Sequence, residues 1–291
     1  MELYRALAYL IGPAAPSRPE LAAALGVIPL TAEQRTALFD LDLPPYASRY
    51  LSPSGEIGGE LRQRAAGFFQ VLDLPIPPEP DHLASLLDLL AWLADGEAVG
   101  RQRQTFRHLR ETLVWEHLLP WVPLYLSTLV RVVPGGFRPW CAELSDAMLG
   151  EAKMSVFCRA EVLPVYPPVD WEASLQAVAS QLLSPARSGL WLTRQLLIDL
   201  SRSEGLPAFG GRVSLLAGLL RAAPLPTLQA LSELAGEWSA ELRHLSWLGP
   251  IAEHWQGLAD RGRAQLLRAV RGGPAGPPKE RREWLRRRTA E

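Results

Sequence analysis

The closest approach to a catalytic motif in this sequence is a glutamate followed three residues later by a histidine. Two such pairs are present, Glu79 with His82 and Glu241 with His244. In a helix this spacing puts both side chains on one face, as in di-iron bundles, which need two such pairs and two further glutamates. The first pair stands in a proline-rich stretch, 77–80, and so is not in a helix interior. A helical metal enzyme is therefore an alternative interpretation and not the preferred one.

Other patterns of catalytic residues are missing from the sequence. It contains no Gly-x-Ser-x-Gly nucleophile motif. The glycine-rich stretch 55–59 lacks the Lys and Ser/Thr of a phosphate-binding loop. The two cysteines, Cys141 and Cys158, are too few for a disulfide scaffold and indicate buried thiols in a reducing compartment. We therefore predict a protein that is not an enzyme and that has no cofactor and no metal site.

The elements that position any site are predicted to be helices. The chain contains 53 Leu against 15 Val and 6 Ile, and leucine favours helices whereas β-branched residues favour strands. Most of the 26 prolines stand between apolar runs, where they end helices. This composition is typical of an all-α protein.

Apolar spacing predicts the individual helices. Leu3, Leu7 and Leu10 mark the first, and Thr31 with Gln34 forms a capping box for the next. Further helices are predicted over 57–72, from 80 or 81 to 93, over 106–133 with an interruption at Pro120 and Pro123, and over 139–149, 171–183, 189–201, 212–222, 227–245 and 251–270.

Proline and charge divide the chain into lobes. Residues 159–168 are extended and proline-limited, which predicts a linker. The predicted organisation is a helical lobe at 1–158, a linker at 159–169, a second and smaller helical lobe at 170–271, and a flexible basic tail at 272–291. Residues 261–291 carry 10 Lys+Arg and 3 Asp+Glu, and the other 260 residues carry 20 and 28, so the net charge of −1 conceals an acidic body. The tail is either a solvated terminus or a contact for a partner or an anionic surface.

Charge and hydropathy also bear on location and partners. A near-neutral chain is not typical of nucleic-acid binding. The longest apolar stretch, 118–130, contains two prolines and is too short to span a bilayer. The N-terminus lacks the basic leader and long apolar run of an export signal. We therefore expect a cytoplasmic monomer or homodimer without nucleic-acid binding or stable membrane insertion.

Four short segments in the first 150 residues resemble motifs of one protein family. They are 44–51 (Pro-Pro-Tyr-Ala-Ser-Arg-Tyr-Leu), 58–60 (Gly-Gly-Glu), 80–83 (Pro-Asp-His-Leu) and 117–123 (His-Leu-Leu-Pro-Trp-Val-Pro). The first resembles an aromatic-x-Ser-x-Tyr-Leu motif, the third an Asp-His hinge and the fourth a His-Leu-x-x-Trp signature. Together they resemble the TorD/DmsD/NarJ family of molybdoenzyme chaperones. The sequence departs from the family at Leu86, a position where the family often carries a glutamate.

The resemblance implies a TorD-like helical bundle and a dedicated chaperone. Such a protein binds the catalytic subunit of a molybdopterin oxidoreductase, often at its twin-arginine leader or signal peptide, and assists cofactor insertion before export or membrane docking. An acidic body suits a cationic leader, and an apolar groove suits the leader's apolar stretch. The candidate client-binding residues are Tyr46, Ser48, Tyr50, Asp81, His82, His117, Trp121 and Tyr125.

Structural roles for the same residues remain open from the sequence alone. The aromatic side chains are equally consistent with packing in a core. Asp81 stands just before a leucine run, where an aspartate commonly caps a helix. His117 is consistent with a hydrogen-bonded histidine at the edge of a core. A helical adaptor without leader recognition is a further alternative function.

Overall fold

The computed structural model of the chain describes residues 2–12, 18–99, 102–154 and 163–272, and these residues form helices joined by short loops. The predicted all-α fold class is confirmed. Within the described ranges, β pairing is limited to an isolated antiparallel bridge between Tyr46 and His82. The predicted basic tail from 273 onward, much of the predicted linker, and Cys158 lie outside the described residues.

The described chain falls into two compact units. The first contains the chain up to Leu51, then Glu56–Leu163 and Trp247–Ile251, and the second contains Ser52–Gly55, Pro164–Ser246 and the chain from Ala252. The main passage from the first unit to the second is therefore at Leu163 and Pro164. The predicted lobes were continuous stretches of sequence, and their boundaries stay a prediction.

The first unit contains nine helices within the described ranges. They are α1 (Glu2–Ile11), α2 (Pro19–Ala24), α3 (Ala32–Arg35), α4 (Ala47–Leu51), α5 (Gly59–Val71), α6 (Leu83–Val99), α7 (Arg103–Leu113), α8 (Val122–Val132) and α9 (Arg138–Met154). The predicted capping box at α3 is confirmed: the Thr31 hydroxyl accepts from the Gln34 backbone N–H, and the Gln34 side chain accepts from the Thr31 backbone N–H.

Helix α6 is the centre of the first unit. It packs against both α1 and α7. A helix that is covered on several sides must be apolar nearly all round. The predicted stripe is buried as expected, with exposure of at most 1% at Leu83, Leu86, Leu87, Leu90 and Leu93. The indole Nε1 of Trp140 donates to the Leu7 backbone oxygen at 3.0 Å and ties α9 to α1.

The interruption predicted at Pro120 and Pro123 within 106–133 is present in the structure. Helix α7 passes into a π-helical turn at Val114–Leu118, and α8 starts only at Val122, with Pro123 in its first turn. A proline is tolerated in a first turn because the N–H it lacks has no partner there in any case. A second π-helical segment, Thr36–Asp42, continues α3.

The second unit contains six helices in the described ranges. They are α10 (Leu175–Leu182), α11 (Pro185–Ser188), α12 (Arg194–Ser203), α13 (Arg212–Ala222), α14 (Pro224–Leu242) and α15 (Pro250–Gly272). Helix α13 has the bounds that the apolar spacing predicts. On α14 the predicted face is buried at Leu228, Leu231, Ala235, Trp238 and Leu242.

None of the helices that the structure describes has both the length and the apolar composition needed to cross a bilayer.

Candidate functional site

The segments that precede α4 and α6 lie side by side. Around the bridge between Tyr46 and His82, the Ala47 N–H donates to the Asp81 backbone oxygen at 3.0 Å and the Leu83 N–H donates to the Pro45 oxygen at 2.8 Å. The rings of Tyr46 and His82 meet edge to face with centroids 4.8 Å apart. The first and third of the four segments are therefore fixed to each other through backbone and side chains.

Asp81 binds the start of α4. Its Oδ2 accepts from the Ser48 hydroxyl at 2.5 Å and from the Ser48 backbone N–H at 3.2 Å, and the side chain is 1% exposed. The carboxylate therefore satisfies a first-turn N–H of α4, where a negative charge is stabilising. The Ser48 hydroxyl in turn accepts from the Gly58 N–H at 3.0 Å. This chain of hydrogen bonds joins the second segment to the first and third.

His82, and not Asp81, caps α6. The His82 Nδ1 accepts from the Ala84 backbone N–H at 3.0 Å. The alternative in which Asp81 caps this helix is wrong, because the Asp81 carboxylate is directed at Ser48. Burial lowers the pKa of His82 from 6.5 to about 4, so the ring is neutral near pH 7. With Nδ1 accepting, the neutral ring carries its proton on Nε2.

Two carboxylates, those of Glu79 and Asp81, lie near the Tyr46 side chain. The Tyr46 side chain hydrogen-bonds Glu79, and burial together with this hydrogen bond raises the pKa of Tyr46. Glu79 Oε2 and Asp81 Oδ1 are both buried and have no hydrogen-bond partner among the described residues. A buried carboxylate oxygen without a donor is costly. Tyr46 and Glu79 are half-buried whereas Asp81 is buried, so only the Glu79 end of this acidic pair reaches the surface.

The fourth segment joins through an aromatic layer. Trp121 stacks on Tyr50 with centroids 5.5 Å apart and planes 13° apart, and Tyr125 contacts both rings. Trp121 Nε1 donates to the His117 oxygen at 2.8 Å, and the Tyr125 hydroxyl donates to the Leu43 oxygen at 3.2 Å. The three rings are 0–2% exposed. They are core residues in this conformation, and their predicted contact with a client stays a prediction that requires the layer to open.

His117 also lies inside the unit. Its ring meets Phe68 of α5 edge to face at 5.3 Å, and its side chain is 7% exposed. Burial, with a smaller effect of the nearby Arg64 cation, lowers the pKa of His117 to about 4. Neutral His117 thus fills a place at the edge of the core, in the π-helical turn that follows α7.

The structure brings all eight predicted residues into one connected region. From the sequence, Glu79 is a candidate only as a metal ligand together with His82. Its contact with Tyr46 is not predictable from spacing, because the two residues are 33 positions apart in the chain. No group of three or more metal-ligating side chains occurs within the part of the chain described. His244 is exposed. Cys141 is buried, and burial raises the pKa of its thiol to about 12.

Comparison with known families gives one match within this region. Residues 22–126 match the family described as Nitrate reductase delta subunit. The match contains all four segments that carry the resemblance and all eight predicted site residues. Comparison with curated proteins gave no match.

Proposed function

We propose that this chain, whose residues 22–126 match the Nitrate reductase delta subunit family of NarJ/TorD-type chaperones, is the dedicated chaperone of one molybdoenzyme. The proposed client is the catalytic subunit of a molybdopterin oxidoreductase. The observation that carries the proposal is the match itself, whose four motif segments form one hydrogen-bonded and stacked region. Binding is reversible, and the chain performs no chemistry of its own.

The client's twin-arginine leader is the proposed contact at the edge formed by Tyr46, Glu79 and Asp81. Glu79 Oε2 and Asp81 Oδ1 have no donor among the described residues, and a guanidinium offers donors of opposite charge in a fixed fork. Neutral His82 adds no positive charge beside these carboxylates. Residues 1–163 carry 14 Lys+Arg and 19 Asp+Glu, which favours a cationic partner at longer range.

The buried members of the site support this edge from inside. Ser48 fixes the Asp81 carboxylate, and the layer of Tyr50, Trp121 and Tyr125 holds α4 against α8. His117 fixes the indole of Trp121 through its backbone oxygen. The chaperone keeps the client in the cytoplasm until cofactor insertion is complete, before export or membrane docking.

Capture of the client tests the chaperone role. The full chain, tagged and expressed in its native host, is expected to co-purify with a molybdopterin oxidoreductase catalytic subunit, identified by mass spectrometry. A preparation that repeatedly yields no such subunit, from cells that express one, contradicts the proposal.

Leader recognition has its own test. We expect Asp81→Asn to weaken binding of a labelled leader peptide about 10-fold or more, because the charge is lost while an amide oxygen still accepts from Ser48. Exposed Asp73 has φ of 55°, a conformation that asparagine tolerates, so Asp73→Asn is the matched control. Equal peptide affinity of the two folded variants contradicts binding at this edge, and capture of the client can still succeed.

A further inference from the structure

A concave surface outside the candidate site lies between four helices of the first unit. It is a cavity of about 840 Å³ between the start of α1, the ends of α6 and α9, and α7. Small residues line two of its walls, Ala94 and Ala98 on α6 and Ala147 and Gly150 on α9. The side chain of Met154 at its border is 54% exposed. The volume is in the range of sites that bind a ligand or several side chains of a peptide.

The acidic groups of this pocket are already paired. Arg110 donates to Glu97 at 2.9 Å and to both carboxylate oxygens of Glu151 at 2.5 and 2.9 Å. The Tyr4 hydroxyl also donates to Glu151 at 2.5 Å, and burial with the Glu151 charge raises the pKa of Tyr4. The carboxylates at the base of the pocket are therefore not available to a cationic ligand.

The basic groups at the border are in excess. Arg103 and Lys153 are exposed and have no ion pair within the described ranges. Arg107 is 58% exposed and lies 3.8 Å from both Glu97 and Glu111, at the long end of ion-pair distances. The pocket thus offers an apolar wall of small residues beside two cations, Arg103 and Lys153, that have no ion pair within the described ranges.

We infer that this pocket binds the apolar face of an acidic amphipathic helix from a partner protein. Small wall residues let a helix backbone approach closely, as in helix-in-groove recognition, and its carboxylates would pair with Arg103, Arg107 and Lys153. A leader with paired arginines would meet these cations and be repelled, so the site is separate from the acidic edge at Glu79 and Asp81. The inference does not depend on the identity of the client.

Gly150 allows the pocket to be filled with little disturbance of α9. A Cβ built at Gly150 meets no atom within 4 Å, so Gly150→Phe places a ring in the cavity from a helical position that disfavours glycine. Gly218 on α13 is the matched control, because a Cβ there also meets no atom within 4 Å.

The charge variant is Arg103→Glu with Lys153→Glu, and its control is Arg221→Glu with Arg243→Glu, two exposed arginines of the second unit.

The test is fluorescence anisotropy on the full chain with a labelled helical peptide of about 15 residues, leucines on one face and glutamates on the other. A second peptide carries lysines in place of the glutamates. The acidic peptide is expected to bind the unmodified chain and both controls alike, and about 10-fold more weakly to Gly150→Phe. The charge variant is expected to prefer the lysine peptide.

Equal binding of both peptides to the unmodified chain, or full binding of the acidic peptide to folded Gly150→Phe, overturns the inference. Leader binding and client capture are separate readouts, so either can fail while this site stands.

Discussion

The hydroxyl of Ser48 connects three of the four motif segments, since it donates to Asp81 and accepts from the Gly58 N–H. We expect Ser48→Ala to lower the free energy of unfolding by about 1–3 kcal/mol, because it leaves a buried carboxylate and a backbone N–H with one partner fewer. The measurement is urea unfolding followed by circular dichroism.

Ser145 on α9 supplies the control for this prediction. It is exposed on the helix surface, so Ser145→Ala should change the free energy of unfolding by less than about 0.5 kcal/mol. If both alanine variants unfold at the same urea concentration as the unmodified chain, the hydrogen bonds of Ser48 do not stabilise the matched region.

Two neutral buried histidines predict how stability depends on pH. Burial lowers the pKa of His82 and of His117 from 6.5 to about 4. Between pH 6.5 and about 4, each histidine binds a proton in the unfolded chain but not in the folded chain. The contribution of the two histidines to the free energy of unfolding is therefore fully present above about pH 6.5 and is lost as the pH falls towards about 4. Each histidine contributes a slope of about 1.4 kcal/mol per pH unit within this window.

The slope can be assigned by substitution. Urea unfolding of the unmodified chain is compared at about pH 7 and about pH 5, together with His117→Gln and with His108→Gln, which changes an exposed residue. His117→Gln should reduce the loss of stability between the two pH values, and His108→Gln should leave it unchanged. An equal loss in all three proteins would mean that His117 becomes protonated in the folded state.

The elements themselves were predictable where one physical rule dominates. The bounds of α13 and the capping box of α3 follow from local spacing and hydrogen bonding, and the structure confirms both. The start of α6 was predicted two or three residues early, because a histidine ring caps the helix where an aspartate was an alternative. The π-helical turn after α7 was not predicted, since its apolar spacing is close to that of an α-helix.

The sequence predicts the site as a set of residues and not as an arrangement, and the contact of these residues with a client stays a prediction. The eight residues lie together because each is close to a motif segment, but sequence alone could not say which rings face the interior. Apolar spacing shows that one face of a helix is covered, but the pattern is the same whether the covering residues belong to the core or to a client. Burial of Tyr50, Trp121 and Tyr125 depends on contacts between α4 and α8, which are about 70 residues apart in the chain.

Close packing of α6 on α7 gives a prediction about these elements. A Cβ built at Gly96 would lie 2.2 Å from a ring carbon of Phe106, so Gly96→Ala forces the ring or α7 to move. We expect it to destabilise the chain by about 1–3 kcal/mol. Gly67→Ala on α5 is the control, because its Cβ meets no atom within 4 Å, and it should stabilise by about 0.5–1 kcal/mol. Urea midpoints that move in the same direction in both variants would contradict the tight contact.

At the scale of the whole molecule, the matched family accounts for part of the first unit only. The match ends at 126, whereas the second unit has a hydrophobic core of its own, which includes Leu182, Leu216 and Leu231. A core of this kind is the mark of a unit that can form its own cooperative structure. The proposed chaperone function therefore rests on residues of the first unit, and the role of the second unit has to be tested separately.

Separate cores predict separate unfolding. Leu87 in α6 and Leu216 in α13 are both 0% exposed, so each alanine substitution should cost about 2–5 kcal/mol by leaving a cavity. Because a chain of two units need not unfold in one step, we expect scanning calorimetry to show two transitions, with Leu87→Ala lowering the temperature of one and Leu216→Ala that of the other. The exposed position Ser145, changed to alanine, should move neither. A single transition that both leucine variants lower equally would show that the two cores unfold as one cooperative unit.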